Sequence, residues 1–271
     1  MAVGGSWYPA DPDRLARDVD RYLADAVTAP AGDVRALIAP HAGLMYSGPV
    51  AAYAYKWLAG SDVDIAVLVG PSHYVAFEGV ALYERGAFDT PFGAVPIAER
   101  CTAALALSSN KIREHAPAHM REHSLEMQLP FLQRLAAGVK IVPLVMGYQT
   151  ADTAQTLGDA LAAVLRGRQA LVIASTDLSH YHDAIAAAKL DATVIKHVER
   201  FDPDGLLAAL DAYPEHACGG GPAVSVMLAA KALGASDARV LKYADSGDVS
   251  GDKDAVVGYL AAAFGTFSPQ M

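Results

Sequence analysis

A chain of 271 residues that is 53% hydrophobic and only 19% charged is long enough to bury a sizeable core and too apolar to be disordered. A formal net charge of −9 with no basic run excludes a nucleic-acid footprint, and two cysteines, Cys101 and Cys218, are too few for a disulfide-stapled secreted scaffold. The N-terminus carries no basic n-region, and no apolar run reaches a membrane span, so a reduced cytoplasmic setting without a membrane partner is expected.

The first periodic segment, residues 13–28, has apolar positions at helical spacing and ends near Pro30 and Gly32, the pattern of an amphipathic helix. Four almost wholly apolar runs follow along the chain, at 35–40, 63–70, 139–147 and 169–175. Such runs suit strands covered on both faces. A weaker strand is expected at 79–84, and further strands at 238–245 and 255–264, the latter edge-like because of Gly258. Between them the spacing predicts helices over 124–137, bent by or starting near Pro130, and over 151–167, 184–200, 202–213 and 221–235. Strands alternating with helices of this length define an α/β protein: a central, mainly parallel or mixed sheet flanked by helices. No linker divides residues 1–271, so one domain is expected.

Three of the apolar runs end in histidine or aspartate: "LIAPHAG" gives His41, "VGPSHY" gives His73, and "ASTDLSHYH" gives Asp177 and His180. Ligands of open α/β sheets sit beyond the carboxyl ends of the strands, so parallel strands would gather these residues along one rim. Neutral imidazoles there can hold a transition metal. Cys218, in "HACGGGPAV", is the third candidate ligand, and a following helix N-terminus would favour its thiolate. His123 and Glu126 share a face at the start of a helix, where His123 can touch substrate or support a ligand. His180 is a candidate general base, with Asp177 to orient it or to bind metal. Taken singly, each histidine is more simply a structural residue. His115 and His119 read as solvated, Cys101 as core, and "GSWYPAD" as a packing anchor more than a pocket wall. The Asp- and Ser-rich stretch 243–252 reads as a turn-rich loop, since its spacing does not fit an EF-hand. There is no phosphate-binding glycine loop and no serine nucleophile elbow.

The motifs "GSWYPAD", "APHAGLMYSG", "GPSHY", "EHSLEMQLPFL", "STDLSHY" and "CGGGPAVSVML" run in this order from residue 5 to residue 228. In this the chain resembles the Memo family, whose bacterial and archaeal members are called AmmeMemoRadiSam system protein B. The resemblance implies a fold similar to class III extradiol dioxygenases. It also implies a metal pocket with His41, His73 and Cys218 as ligands and Asp177, His180 and His123 as further pocket residues. Those dioxygenases use a carboxylate where this chain has a cysteine, and a softer thiolate shifts preference toward copper or zinc while leaving iron open. Two functions follow as expectations. One is a metal-dependent redox enzyme, using iron or copper, on a small phenolic substrate. The other is a non-catalytic metal- or peptide-binding scaffold working with radical-SAM system proteins. A zinc hydrolase ranks last, because clustered carboxylates are lacking.

Overall fold

The computed structural model describes residues 1–27 and 32–268. In chain order the elements are α1 (Pro12–Asp25), β1 (Gly32–Ala39), α2 (Leu44–Tyr55), β2 (Ile65–Pro71), β3 (Val80–Leu82), β4 (Ala87–Thr90), β5 (Gly93–Pro96), α3 (Glu99–Ser108), β6 (Ile112–Glu114) and α4 (Leu129–Leu135). They continue with β7 (Lys140–Met146), α5 (Ala151–Leu165), β8 (Ala170–Ser175), β9 (His180–His182), α6 (Ala184–Glu199), α7 (Pro203–Ala212), α8 (Gly220–Ala232), β10 (Asp237–Asp245), α9 (Gly247–Ser250) and β11 (Val256–Phe267). One mixed sheet runs β10-β11-β1-β8-β2-β7-β3-β6, with β9 added against β11, and β4-β5 form a separate hairpin.

The central strands β1, β8, β2 and β7 are parallel, each paired in that sense with its neighbour. They are the four apolar runs legible in the sequence, and their alternation feeds two cores. Leu37, Leu68, Ile141 and Ile173 pack with α1, α2 and α4 on one face. Ile38, Val69, Val142 and Val172 pack with α3 and α5 to α8 on the other. Burial on both faces is why these strands show no polar alternation.

Helix ends follow ordinary capping chemistry. Asp11, Thr150, Asp183 and Asp202 each accept a hydrogen bond from an amide in the first turn of α1, α5, α6 and α7, satisfying donors that have no partner within the helix. Pro130 lies in the first turn of α4, after a short 3-10 turn at Glu126–Gln128, so it starts the helix and does not kink it. Residue 28, the expected end of the first helix, lies outside the described residues, and α1 closes at Asp25.

Two expectations are corrected. Segment 255–264 is no edge: β11 is the longest strand, buried between β1 and β10 and antiparallel to both. Gly258 is required there for another reason, since a Cβ at that position would lie 2.0 Å from Asp191 Oδ2. His119 is not solvated. It is 8% exposed, its Nε2 lies 3.2 Å from the carbonyl of Ala81, and burial pushes its pKa down to about 4. The Asp-rich loop closes on itself, with Lys253 Nζ 2.7 Å from Asp245 and 2.6 Å from Asp248.

Candidate metal centre

Register builds the site. Ala39 of β1 and Ser175 of β8 are directly paired, and two residues past each come His41 and Asp177. Being level, they meet: the His41 amide donates to Asp177 Oδ1 at 2.7 Å. His73 stands two residues past Pro71, the end of β2. Cys218 comes from the loop before α8, and its Sγ is 3.4 Å from His41 Nε2. The candidate ligand atoms of His41, His73 and Cys218 all lie within 4.8 Å of one another.

The hydrogen bonds around these histidines decide which nitrogen faces the cluster. Ser175 Oγ has one proton, which it donates to the carbonyl of Ser124 at 2.6 Å. It therefore accepts from Gln128 Nε2 at 2.7 Å and from His41 Nδ1 at 2.9 Å. That puts the His41 proton on Nδ1 and leaves Nε2 with a free lone pair facing the thiol. His73 Nδ1 donates to Glu122 Oε1 at 2.8 Å, and His180 Nδ1 to the carbonyl of Leu178 at 2.8 Å. Three imidazoles thus hold their protons on Nδ1 and keep Nε2 bare.

Electrostatics agree with neutral imidazoles at His41, His123 and His180. Burial, then repulsion from His73, His123 and His180, holds His41 well below the ordinary histidine range. Burial lowers His180 as well, and burial followed by the neighbouring His73 brings His123 to about 4. Glu122 is 4% exposed. Burial opposes its ionisation, but hydrogen bonds from the His73 ring and from the amides of His73 and Ser124 outweigh burial and hold it at about 2. Asp177 goes the other way: burial raises it to about 7, despite amides donated by His41 and Ala42. The Cys218 thiol is also pushed up, by burial and then by Asp177. Burial outweighs whatever the following helix start offers, and Gln149 Oε1 takes the Gly221 amide of the first turn at 2.7 Å. Sγ receives instead the amide of Asp177 at 3.3 Å.

The donor set fits a metal ion. The 3.4 Å between His41 Nε2 and Cys218 Sγ matches a tetrahedral ion, whose bonds of about 2.0 Å to nitrogen and about 2.3 Å to sulfur place such atoms roughly 3.5 Å apart, and the His73 ligand atom lies within 4.8 Å of both. Both histidines donate their outer N–H to fixed oxygen acceptors, the usual support of metal-binding imidazoles. A second cluster, His73, Glu122 and His123, fits less well. Glu122 already receives four hydrogen bonds, from His73 N, His73 Nδ1, His123 N and Ser124 N.

Not every residue singled out in the sequence stands where it was expected. Asp177 does not orient His180; its carboxylate holds the His41 loop, and the Leu178 carbonyl holds His180. His123 stacks on His73, ring centroids 4.4 Å apart, and faces His41 edge-on at 5.5 Å. Trp7 lies against His123 at 4.2 Å, so it packs beside the histidine cluster. Its neighbour Tyr8 is the packing anchor, with its hydroxyl donating to Glu126 at 2.6 Å. Glu126 therefore faces the N-terminal segment and not the cluster. Glu122, Gln128 and Ser175 do not stand out in the sequence. The only signal was their position inside or beside the strand-end motifs.

The class defined by this fold is an α/β protein with a mixed sheet covered on both faces, and its histidines and cysteine gather as a candidate metal site beyond the carboxyl edge of the parallel strands. The model of the family described as Memo-like protein matches residues 1–263, and the chain belongs to the Memo family. A MEMO1 family protein of Methanopyrus kandleri is 38% identical over 97% of this chain and 97% of its own. One of Methanothermobacter thermautotrophicus is 38% identical over 95% and 97%. The crystal structure of an uncharacterized protein from Escherichia coli K12 shares the fold, with a TM-score of 0.59 at 16% identity, covering 86% of this chain and 100% of that one.

Proposed function

We propose that this protein binds one transition-metal ion through His41 Nε2, His73 Nε2 and Cys218 Sγ and acts as a dioxygenase-like oxidoreductase on a small phenolic substrate. The observation that carries the metal reading is the shared tautomer: Ser175 and Glu122 take the Nδ1 protons of two convergent histidines and leave both Nε2 lone pairs free. Iron or copper suits the reading best, with zinc as a further fit to the thiol. When bound, such an ion supplies the redox couple that lets dioxygen react with a phenol.

The chain's own residues supply the rest. His180 Nε2, kept unprotonated by the Leu178 carbonyl, takes the proton of a substrate hydroxyl. His123, stacked on His73 and backed by Trp7, braces the His73 ring. The Asp177 carboxylate fixes the backbone of His41. Elemental analysis of the protein purified without added metal tests the ligand set: stoichiometric metal, lost in His41→Ala, is expected, and a metal-free folded protein would sink the idea. Oxygen uptake by iron-loaded protein with a panel of catechols, abolished in His180→Ala, tests the chemistry.

A binding role is favoured by a different observation, the exposed aromatic side chains of Tyr74 and Tyr148, just past β2 and β7, and of Tyr181 in β9. In that reading the same centre holds a metal or peptide for a radical-SAM partner system. Metal retention without oxygen uptake across the panel would select it.

A further inference from the structure

His180 opens β9, which pairs with β11 across an irregularity: His180 lies opposite Val257 and His182 opposite Val256, with Tyr181 between them. Tyr181, directly after it, adopts a left-handed backbone with φ 64°, a region that disfavours a bulky L-residue. Its ring is 78% exposed and lies beside the His180 ring, centroids 5.7 Å apart, so no side-chain burial fixes the conformation. Such a backbone persists only where its surroundings over-determine it.

Beside the β9–β11 pairing, the turn that leads into His180 is held by a buried carboxylate from another element. Asp191 of α6 is 0% exposed. Its Oδ1 accepts the Ser179 amide at 2.9 Å, and its Oδ2 accepts the Tyr243 hydroxyl of β10 at 2.8 Å. Opposite it, β11 has Gly258, the residue that leaves room for the carboxylate. Gly258 itself clamps the same turn, accepting the Leu178 amide at 2.8 Å and donating to the Ser179 carbonyl at 3.0 Å. Leu178 is the residue whose carbonyl takes the His180 Nδ1 proton. The carboxylate, the glycine and the turn interlock, and His180 is their output.

We propose that Asp191 is a positioning residue for His180: by anchoring the Ser179 amide and filling the space above Gly258, it holds the Leu178 carbonyl where it fixes His180 as the Nδ1–H tautomer. The proposal rests on the reading of His180 as a proton acceptor, but it concerns the metal-free chain and is testable there. Burying a carboxylate costs free energy unless its oxygens are satisfied, and here one oxygen takes the Ser179 amide and the other the Tyr243 hydroxyl.

The test is ¹⁵N NMR of the His180 imidazole in metal-free protein. Wild-type His180 is expected with its proton on Nδ1, and Asp191→Ala with a mixture in which the Nε2–H form, ordinarily preferred by free imidazole, dominates. Asp191→Asn, which keeps an acceptor for Ser179, restores the Nδ1–H form. Metal affinity at His41, His73 and Cys218 is expected to stay within about twofold in all three proteins, since no ligand contacts Asp191. An unchanged His180 tautomer in folded Asp191→Ala overturns the proposal, as does a loss of metal affinity with the tautomer intact. Should Asp191→Ala not fold, Tyr243→Phe loosens the carboxylate while keeping the ring. It is expected to speed exchange of the Ser179 amide about tenfold, and an unchanged exchange rate there overturns the proposal equally. Failure of the metal reading would appear as absent metal with the His180 tautomer still dependent on Asp191.

Discussion

Glu122 carries more of the site than its place in the sequence suggests. It is the one buried carboxylate that receives both the ring and the backbone of His73, so Glu122→Gln is expected to weaken metal binding by about 10–100-fold. Calorimetric titration of the metal into the variant, beside its melting temperature, checks this; an unchanged affinity would remove Glu122 from the support of the ligand. Tyr181 offers a second measurement. With φ at 64° and an exposed ring, Tyr181→Gly is expected to stabilise the fold by about 1 kcal/mol, read from the urea midpoint. At this scale the strand-end histidines were legible because they follow apolar runs at a constant offset. Ser175 and Gln128 were not, since a serine ending a strand and a glutamine in a helical segment look ordinary until their hydrogen bonds are seen. The thiol differs from expectation because the sequence shows a helix start but not the burial and the neighbouring Asp177 that push it up.

Elements buried on both faces were the easiest to read. β1, β2, β7 and β8 are unbroken apolar runs, and their order along the chain implied crossovers and parallel pairing. α2 was missed. Its sequence, LMYSGPVAAYAY, holds Gly48 and Pro49 inside the helix, both poor interior residues, and its faces are apolar nearly all round. Tertiary packing between α1 and the sheet overrides the propensity: Gly48 is there because a Cβ would meet the Tyr22 ring of α1 at 2.8 Å. The glycine of β11 misled in the opposite direction. It suggested an edge, whereas it marks the close approach of Asp191. Gly258→Ala is therefore expected to cost about 1–3 kcal/mol through overpacking, with a matching drop in the urea midpoint and an unchanged slope. A neutral result would mean that α6 can retreat from the strand.

For the molecule as a whole, acid is the natural stress. His119 is neutral when folded, with its pKa lowered by burial to about 4, against about 6.5 in an unfolded chain. Between those values the unfolded state binds the extra proton. The contribution of His119 is therefore intact above pH about 6.5 and falls as pH drops toward about 4, by up to roughly 3 kcal/mol. Denaturation of His119→Gln across this range is expected to show a shallower loss with acid than the parent, and an identical slope would show that the buried ring does not set it. Among the described residues no helix is long and apolar enough to cross a membrane. The buried apolar side chains fill two cores, one on either side of the sheet. Leu132 of α4 belongs to one core and Leu161 of α5 to the other, both 0% exposed. Because the β-sheet stands as a wall between them, a cavity opened on one side has no shared neighbour on the other. The penalties of Leu132→Ala and Leu161→Ala should then simply sum, within about 0.5 kcal/mol, in the double variant. The protein would thus carry two thermodynamically independent reservoirs of stability, so either one can be redesigned while the other is left alone.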